Sequence, residues 1–464
     1  MRAFLDRACA RRPEAPFLRF RGSTWSYADL RAITDGVAAE LLALGFAPGD
    51  RLAMRLPTSP AHVFLWLATA KAGIVSCPIA VDLAPPEVEA TLAHLDPRGS
   101  IDPSGTLTIG GTRAGTLDAL LASRRTLASV EPDGIATILT TSGTTGAPKA
   151  AMLSHRMAVL TGEGFTTWLG LGEGDRLFTC LPLSHVNARF YSCLGAIAAG
   201  ASLAVEERFS ASRFWAWMKE SGATEVNVIG AMLRILLERE PSPEDRDHGL
   251  RLVYGALALG ERDHLAFERR FGVKLVIGYG LTESTFGFIH PQGRPCDLAS
   301  MGEPRGGTEV KLVDGEIWLR NPATFSGYFR DDAATREAVT DEGWLKTGDL
   351  ATVDARGAYT FAGRKKLVIR RRGENLTPAE VESVLERHPA ILEAAVVGVP
   401  SPVGEDDVQA CIVFRPGLRA GEEELAAHCA THLAPFKVPT RWRVMDALPR
   451  TPTQRIAYHL LRGS

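Results

Sequence analysis

The sequence has no CxxC pair, and its seven cysteines, at 9, 77, 180, 193, 296, 411 and 429, are odd in number and scattered. That argues against a disulfide framework and against a cysteine-bound zinc site, and fits a reducing compartment. It has no excess of one charge: 52 Lys and Arg stand against 54 Asp and Glu, a net charge of −2. No global basic field points to nucleic acid or to an anionic membrane surface. It has no long apolar run either. The most apolar stretch, residues 64–81, is interrupted by Lys71 and Pro78 and is too broken for a membrane span. Residues 1–13 carry charges without an apolar core and do not read as a secretory signal. Internal repeats and low-complexity segments are missing as well. The expectation is a cytoplasmic protein. What is present is 45% hydrophobic and 23% charged over 464 residues, enough for a large core and for two or three domains.

The first 130 residues alternate between helical and strand-like patterns. Residues 27–44 read as a helix opened by Ser26 and closed near Gly45, 51–56 as a strand, 61–73 as a helix and 74–80 as a strand. Such alternation predicts a sheet with helices on its faces. A strand over 134–140 runs into a glycine-rich segment, and a helix starts at about 154. Further strands are expected at 176–181, 202–205, 225–229, 252–254 and 274–277. After about residue 305 the texture changes to hairpins, at 309–320 and 351–361, followed by a basic turn at 364–372. The last hundred residues then read as a small α+β unit.

Residues 140–149, Thr-Thr-Ser-Gly-Thr-Thr-Gly-Ala-Pro-Lys, carry the strongest chemical signal. Gly143 and Gly146 allow φ > 0 and a close backbone approach. Thr140, Thr141, Ser142, Thr144 and Thr145 supply five hydroxyls, and Lys149 a mobile positive charge. Backbone N–H groups in such a turn form an anion nest, so polyphosphate is the expected guest; by composition alone an ordinary surface loop reads equally well. The order is neither GxxxxGK[ST] nor GxGxxG.

The order [ST]-[ST]-G-T-T-G-x-P-K resembles the phosphate loop of the adenylate-forming superfamily, which comprises acyl-CoA synthetases, luciferases and peptide-synthetase adenylation domains. Collinear segments over residues 24–456 support the likeness. Gly278-Tyr279-Gly280-Leu281-Thr282-Glu283 is similar to the family's YGxTE segment. There the resemblance implies Tyr279 by the adenine, Thr282 at the α-phosphate and Glu283 on Mg²⁺; the alternative is a core strand ending in a helix cap at Thr282. Trp344 to Asp349 resembles W-x-x-T-G-D, which implies that Asp349 accepts the ribose hydroxyls. In the basic run the resemblance implies that Arg364 contacts ribose or phosphate and that Lys366 is the hinge; without it the run reads as a solvated turn. Leu181-Pro-Leu-Ser-His185-Val-Asn187 resembles the segment whose histidine borders the acyl pocket, although a lone histidine is also an ordinary packed side chain. Residues 201–215 and 267–283 resemble the carnitine/crotonobetaine-type CoA ligases. The implied fold is α/β: a large N-terminal domain of mixed β-sheets flanked by helices, residues 1–365, and a small mobile α+β C-terminal domain, residues 366–464, hinged near Lys366.

Two positions depart from the family text. Its C-terminal P-R-[TS]-x-x-G-K segment stands here as Pro449-Arg-Thr-Pro-Thr-Gln454-Arg455. A forked guanidinium replaces a point-charge ammonium that reaches the substrate carboxylate. Either Arg455 serves with altered geometry, or adenylation is slow, or the acid is unusual. The Gly-Gly-Ala segment that lines the adenine site and acyl channel is reduced to Gly255-Ala256 behind Tyr254. Tyr254 either shortens a pocket that also includes His185 and Gly278, or is buried in the core. The expected activity is AMP-forming ligation of a small or compact acid, with ATP, Mg²⁺ and CoA. An amine, a carrier-protein thiol, an inorganic acid such as nitrite, and a degenerate nucleotide-binding protein are the alternatives. Thr282, Glu283, Lys149, Arg455 and His185 are the expected catalytic residues.

Overall fold

The computed structural model describes residues 1–128, 132, 134–141, 149–256, 260–293, 295–371, 374–401, 406–451 and 456–462. Within them the fold is α/β and divides into two compact units, residues 1–309 with 319–345, and residues 310–318 with 346–462.

The first unit rests on two sheets. One has seven strands, in the order Thr112–Thr116, Thr106–Ile109, Gly99–Ile101, Arg51–Met54, Val75–Pro78, Ile135–Thr141, Lys149–Ser154. The other has nine: Glu303–Pro304, Phe288–Ile289, Lys274–Tyr279, Leu252–Ala256, Glu225–Ile229, Arg176–Thr179, Ser202–Val205, Pro16–Phe20, Ser23–Ser26. The middle strands of the second sheet are parallel. Their C-terminal ends therefore share one edge, which is where open α/β sheets hold ligands.

Local signals set the helices. Tyr27–Ala43 opens on a reciprocal cap: the Ser26 hydroxyl accepts from the Asp29 N–H at 3.1 Å and the Asp29 carboxylate accepts from the Ser26 N–H at 2.8 Å. The helix Pro60–Ala72 is buried on nearly every side. Lys71, the charge that interrupts the apolar run, is 1% exposed and ion-paired with Asp6 and Asp35, as a buried ammonium requires. Among the described residues no helix is long and apolar enough to cross a membrane, and none of the seven cysteines is in a disulfide.

A buried guanidinium pins the segment 181–187 to this helix. Arg189 donates through Nε to the Leu183 carbonyl, through Nη1 to Ser76 Oγ at 3.1 Å and through Nη2 to His62 Nε2 at 3.0 Å, and its Cζ lies 4.8 Å from the Trp66 ring centre. His62 then donates through Nδ1 to the Pro57 carbonyl at 3.3 Å. Burial, with Arg189 second, holds the imidazole down at about 3, and burial lowers Arg189 to about 9.

Glu225 is fully buried, and neither carboxylate oxygen has a hydrogen-bond partner among the described residues. Burial, with Asp175 adding repulsion, raises its carboxyl well above the ordinary 4.5. The folded state thus keeps a proton that the unfolded chain releases, and stability falls as pH rises from 4.5 towards the folded value. Glu225→Leu is expected to stabilise the protein by about 1–3 kcal/mol. The gain in urea denaturation should be larger at alkaline than at acid pH, and a loss at alkaline pH would contradict this account.

The sequence pattern places a helix from about 154, as found with Ser154 as its cap, and assigns no element between it and the glycine-rich segment. The structure inserts the strand Lys149–Ser154, antiparallel to Ile135–Thr141, with Thr141 opposite Lys149. Six residues are too few for their period to separate this strand from the helix His155–Leu169 that follows at once. After the strand Lys274–Tyr279 the chain forms turns up to Phe288, and no helix begins at Thr282.

In the second unit, three strands, Ile391–Pro400, Asp406–Phe414 and Arg441–Val444, form a sheet in that order. Ala394 and Val396 face the helices Pro378–Leu385 and Glu422–Ala430, whereas Ala395, Val397 and Val399 pack with Leu448 and Leu461. The two-residue period of a strand produces both faces. A four-stranded sheet, Glu309–Val313, Glu316–Arg320, Leu345–Val353 and Tyr359–Arg364, lies mostly in this unit.

Candidate active site

In the first unit, Thr141 ends one strand and Lys149 begins the next, so the two flank the glycine-rich segment. Lys149 Nζ lies 4.8 Å from the centre of the Tyr328 ring, within cation–π range. The Tyr328 hydroxyl donates to Glu283 Oε1 at 2.8 Å. Burial, and then the Glu283 carboxylate, raise the Tyr328 phenol far above its usual value, so it stays protonated as a donor. Lys149 and Glu283, about 130 residues apart by their numbers, therefore share one tyrosine. That arrangement fits magnesium, which binds through one or two carboxylates together with substrate phosphates: Tyr328 holds one oxygen of Glu283, and a bridging carboxylate needs only the other.

The turn carrying Thr282 and Glu283 is closed on itself, with Leu281 N–H donating to the Ser284 carbonyl at 2.8 Å and Ser284 N–H to the Leu281 carbonyl at 3.2 Å. Asn321 Nδ2 supports it from outside, donating to Ser284 Oγ at 2.8 Å and to the Phe286 carbonyl at 3.1 Å. Tyr279 ends its strand with its ring 5.6 Å from that of Phe288.

Tyr254 is 5% exposed, with ring centres 5.1 Å from Phe165 and 5.8 Å from Tyr191. Its hydroxyl edge covers Gly278, where a Cβ would sit 2.2 Å from Tyr254 Oη. Only glycine fits that approach. Gly280 lies beside Tyr191, whose hydroxyl donates to the Thr285 carbonyl at 2.6 Å. Gly255 sits between Ile277 and Leu233, each 3.2 Å from an ideal Cβ. His185 is half-buried, and its carbonyl accepts from the Arg189 N–H at 3.3 Å. Asn187 opens a π-helical turn, Asn187–Cys193, and accepts from Asn227 Nδ2 at 2.7 Å. Such turns recur at functional sites, and this one brings Tyr191 onto Thr285.

In the second unit, Asp349 and Arg364 are opposite each other in the ladder, with Arg364 Nε 2.8 Å from Asp349 Oδ1. Asp349 is 1% exposed. Lys366 is exposed in the short turn Lys365–Leu367, next to Lys365, which donates to Glu316 Oε2 at 3.0 Å. Ser142, Gly143, Thr144, Thr145, Gly146 and Arg455 lie outside the described residues.

Tyr328, Tyr191 and Asn321 are absent from the sequence reading. Ser326-Gly327, before Tyr328, and Asn321-Pro322 are visible only as turn-type residue pairs, and what Tyr328 and Asn321 touch is decided by tertiary contact.

A two-sheet α/β unit in which Lys149 and Glu283 meet at Tyr328, followed along the chain by a small α+β unit, is the arrangement of an AMP-forming ligase. The chain belongs to the AMP-binding enzyme family: that family's model matches residues 5–329, and the model of the AMP-binding enzyme C-terminal domain matches residues 380–455. It is 32% identical to the sulfoacetate–CoA ligase of Cupriavidus necator, over 96% of this chain and 94% of that one. It is 30% identical to the crotonobetaine/carnitine–CoA ligase of Salmonella paratyphi A, over 93% and 92%. An o-succinylbenzoate coenzyme A synthetase from Bacillus subtilis, solved with ATP and magnesium ion, superposes with a TM-score of 0.87 at 27% identity, covering 99% and 98%. The protein is an acid–thiol ligase whose cosubstrates are ATP, with Mg²⁺, and CoA.

Proposed function

We propose that the chain adenylates a compact carboxylic acid and passes the acyl group to the CoA thiol within the cytoplasm. The carboxylate attacks the α-phosphorus of ATP, and pyrophosphate leaves. Lys149, the N–H groups of 142–146 and Thr282 bind the phosphates, and Glu283 holds the metal; magnesium, when bound, offsets the charge that builds on them. Asp349 and Arg364 hold the ribose, Tyr279 packs by the adenine with Gly255 and Gly280 beside it, and Arg455 contacts the reacting carboxylate. The second unit then turns about Lys366, the CoA thiolate attacks the acyl carbonyl, and AMP leaves. His185 borders the acyl pocket.

The observation that supports a compact acid is the Tyr254 hydroxyl against Gly278, where a Cβ would sit 2.2 Å from it; a ring held there would shorten a pocket bordered by Gly278. The acids named for the two ligase relatives, sulfoacetate and carnitine, are compact too. In pyrophosphate exchange with straight-chain acids, kcat/KM is expected to collapse beyond a short chain. Tyr254→Ala should raise kcat/KM for medium-chain acids about tenfold or more, since each methylene accommodated is worth about 1–3 kcal/mol. Equal use of short- and medium-chain acids by the unaltered protein would sink this reading.

A further inference from the structure

The segment that carries Tyr328 is a strap between the two sheets of the first unit. Its backbone seals the free edge of Lys149–Ser154: Met152 N–H donates to the Gly327 carbonyl at 2.9 Å, Ser326 N–H to the Met152 carbonyl at 2.8 Å and Phe329 N–H to the Ala150 carbonyl at 2.8 Å. A few residues earlier it grips the other sheet's turn. Phe325 N–H donates to the Glu283 carbonyl at 2.8 Å, and Thr285 N–H to the Ala323 carbonyl at 3.3 Å. Gly327 takes φ +107, where a Cβ would meet Thr335 at 2.9 Å, and Tyr328 N–H donates to the Thr335 hydroxyl at 2.9 Å. A position so constrained on both sides aims one side chain reproducibly. That side chain, 7% exposed, reaches Glu283 with its hydroxyl and Lys149 with its ring face.

We propose that Tyr328 is a positioning residue for adenylation, holding the metal-bridging carboxylate of Glu283 and the phosphate-binding ammonium of Lys149 in one register. The inference rests on the roles proposed above for those two residues. A carboxylate on a free rotor must be ordered when metal and nucleotide arrive; one held by a charge-assisted hydrogen bond is ordered beforehand. The ring does the same for a flexible lysine, whose ammonium lies over its face.

The test is calorimetric binding of a non-hydrolysable ATP analogue, with magnesium titrated, to the full chain. Tyr328→Phe keeps the ring and loses the hydroxyl. It should raise the magnesium needed for half-saturation about tenfold and leave metal-free nucleotide binding unchanged. Tyr328→Leu should raise it similarly and also weaken metal-free binding about two- to fivefold. In a Glu283→Gln background, Tyr328→Phe should add nothing to the magnesium shift. A tyrosine that merely stabilised the fold would lower the melting temperature and leave the magnesium requirement alone. If Tyr328→Phe superimposes on the parent while Glu283→Gln shifts, the positioning role is wrong. If Glu283→Gln does not shift either, the role of Glu283 falls and this inference with it. Should Tyr328→Leu not fold, the conservative variant and the double-substitution cycle decide alone.

Discussion

Arg455→Ala is expected to slow pyrophosphate exchange by about 10²–10³-fold while leaving thioester formation from supplied acyl-adenylate nearly intact. In the role proposed for Arg455, its positive charge acts while negative charge migrates between the acid and the α-phosphate, and the thiol attack on the mixed anhydride then draws on other groups. Splitting the two half-reactions therefore isolates the residue: exchange reads the first, and CoA consumption from synthetic adenylate reads the second. Arg455→Lys probes shape at constant charge. A point-charge ammonium concentrates donors that a planar guanidinium spreads over a fork, so the lysine variant should exchange faster. Exchange that is unchanged or slower would show that the site is built around the fork.

Glu283→Gln should lower the exchange rate by about 10²-fold, because it removes the formal charge opposite the metal without changing the side chain's size. The amide oxygen can still accept from Tyr328, so the turn between Leu281 and Ser284 keeps its two internal hydrogen bonds. The loss should therefore appear in kcat and in the magnesium requirement while the melting temperature holds. An exchange rate within threefold of the parent, at saturating magnesium, would remove Glu283 from the metal's shell.

The two variants also separate the parts of the site by where their signals lie. Lys149, Glu283, Asp349 and Arg364 sit in short segments whose residue order resembles that of the adenylate-forming family, so each could be singled out from its own segment. Tyr328 could not, since nothing in Ser326-Gly327-Tyr328-Phe329 says that it will lie against a strand near 150 and a carboxylate at 283. Tyr191 was hidden for the same reason: its role at Thr285 depends on a π-helical turn whose register no local pattern announces. Glu225 reads in the chain as the one charge in the strand Glu225–Ile229, and only the packing around it makes it a buried acid without a hydrogen-bond partner among the described residues.

By itself, then, the sequence determined which class of chemistry this protein carries. A Ser/Thr/Gly loop ending in lysine, a Thr-Glu pair and an aspartate after Thr-Gly are local segments, and their order along the chain resembles that of one family. The tertiary structure decided how the charges are held together. Tyr328 joins Lys149 to Glu283, Tyr254 closes over Gly278, and Arg189 finds His62 and Ser76. The physical reason is that a hydrogen bond or ring contact is satisfied by whichever group packing brings within about 3–6 Å, and separation along the chain places no limit on which group that is.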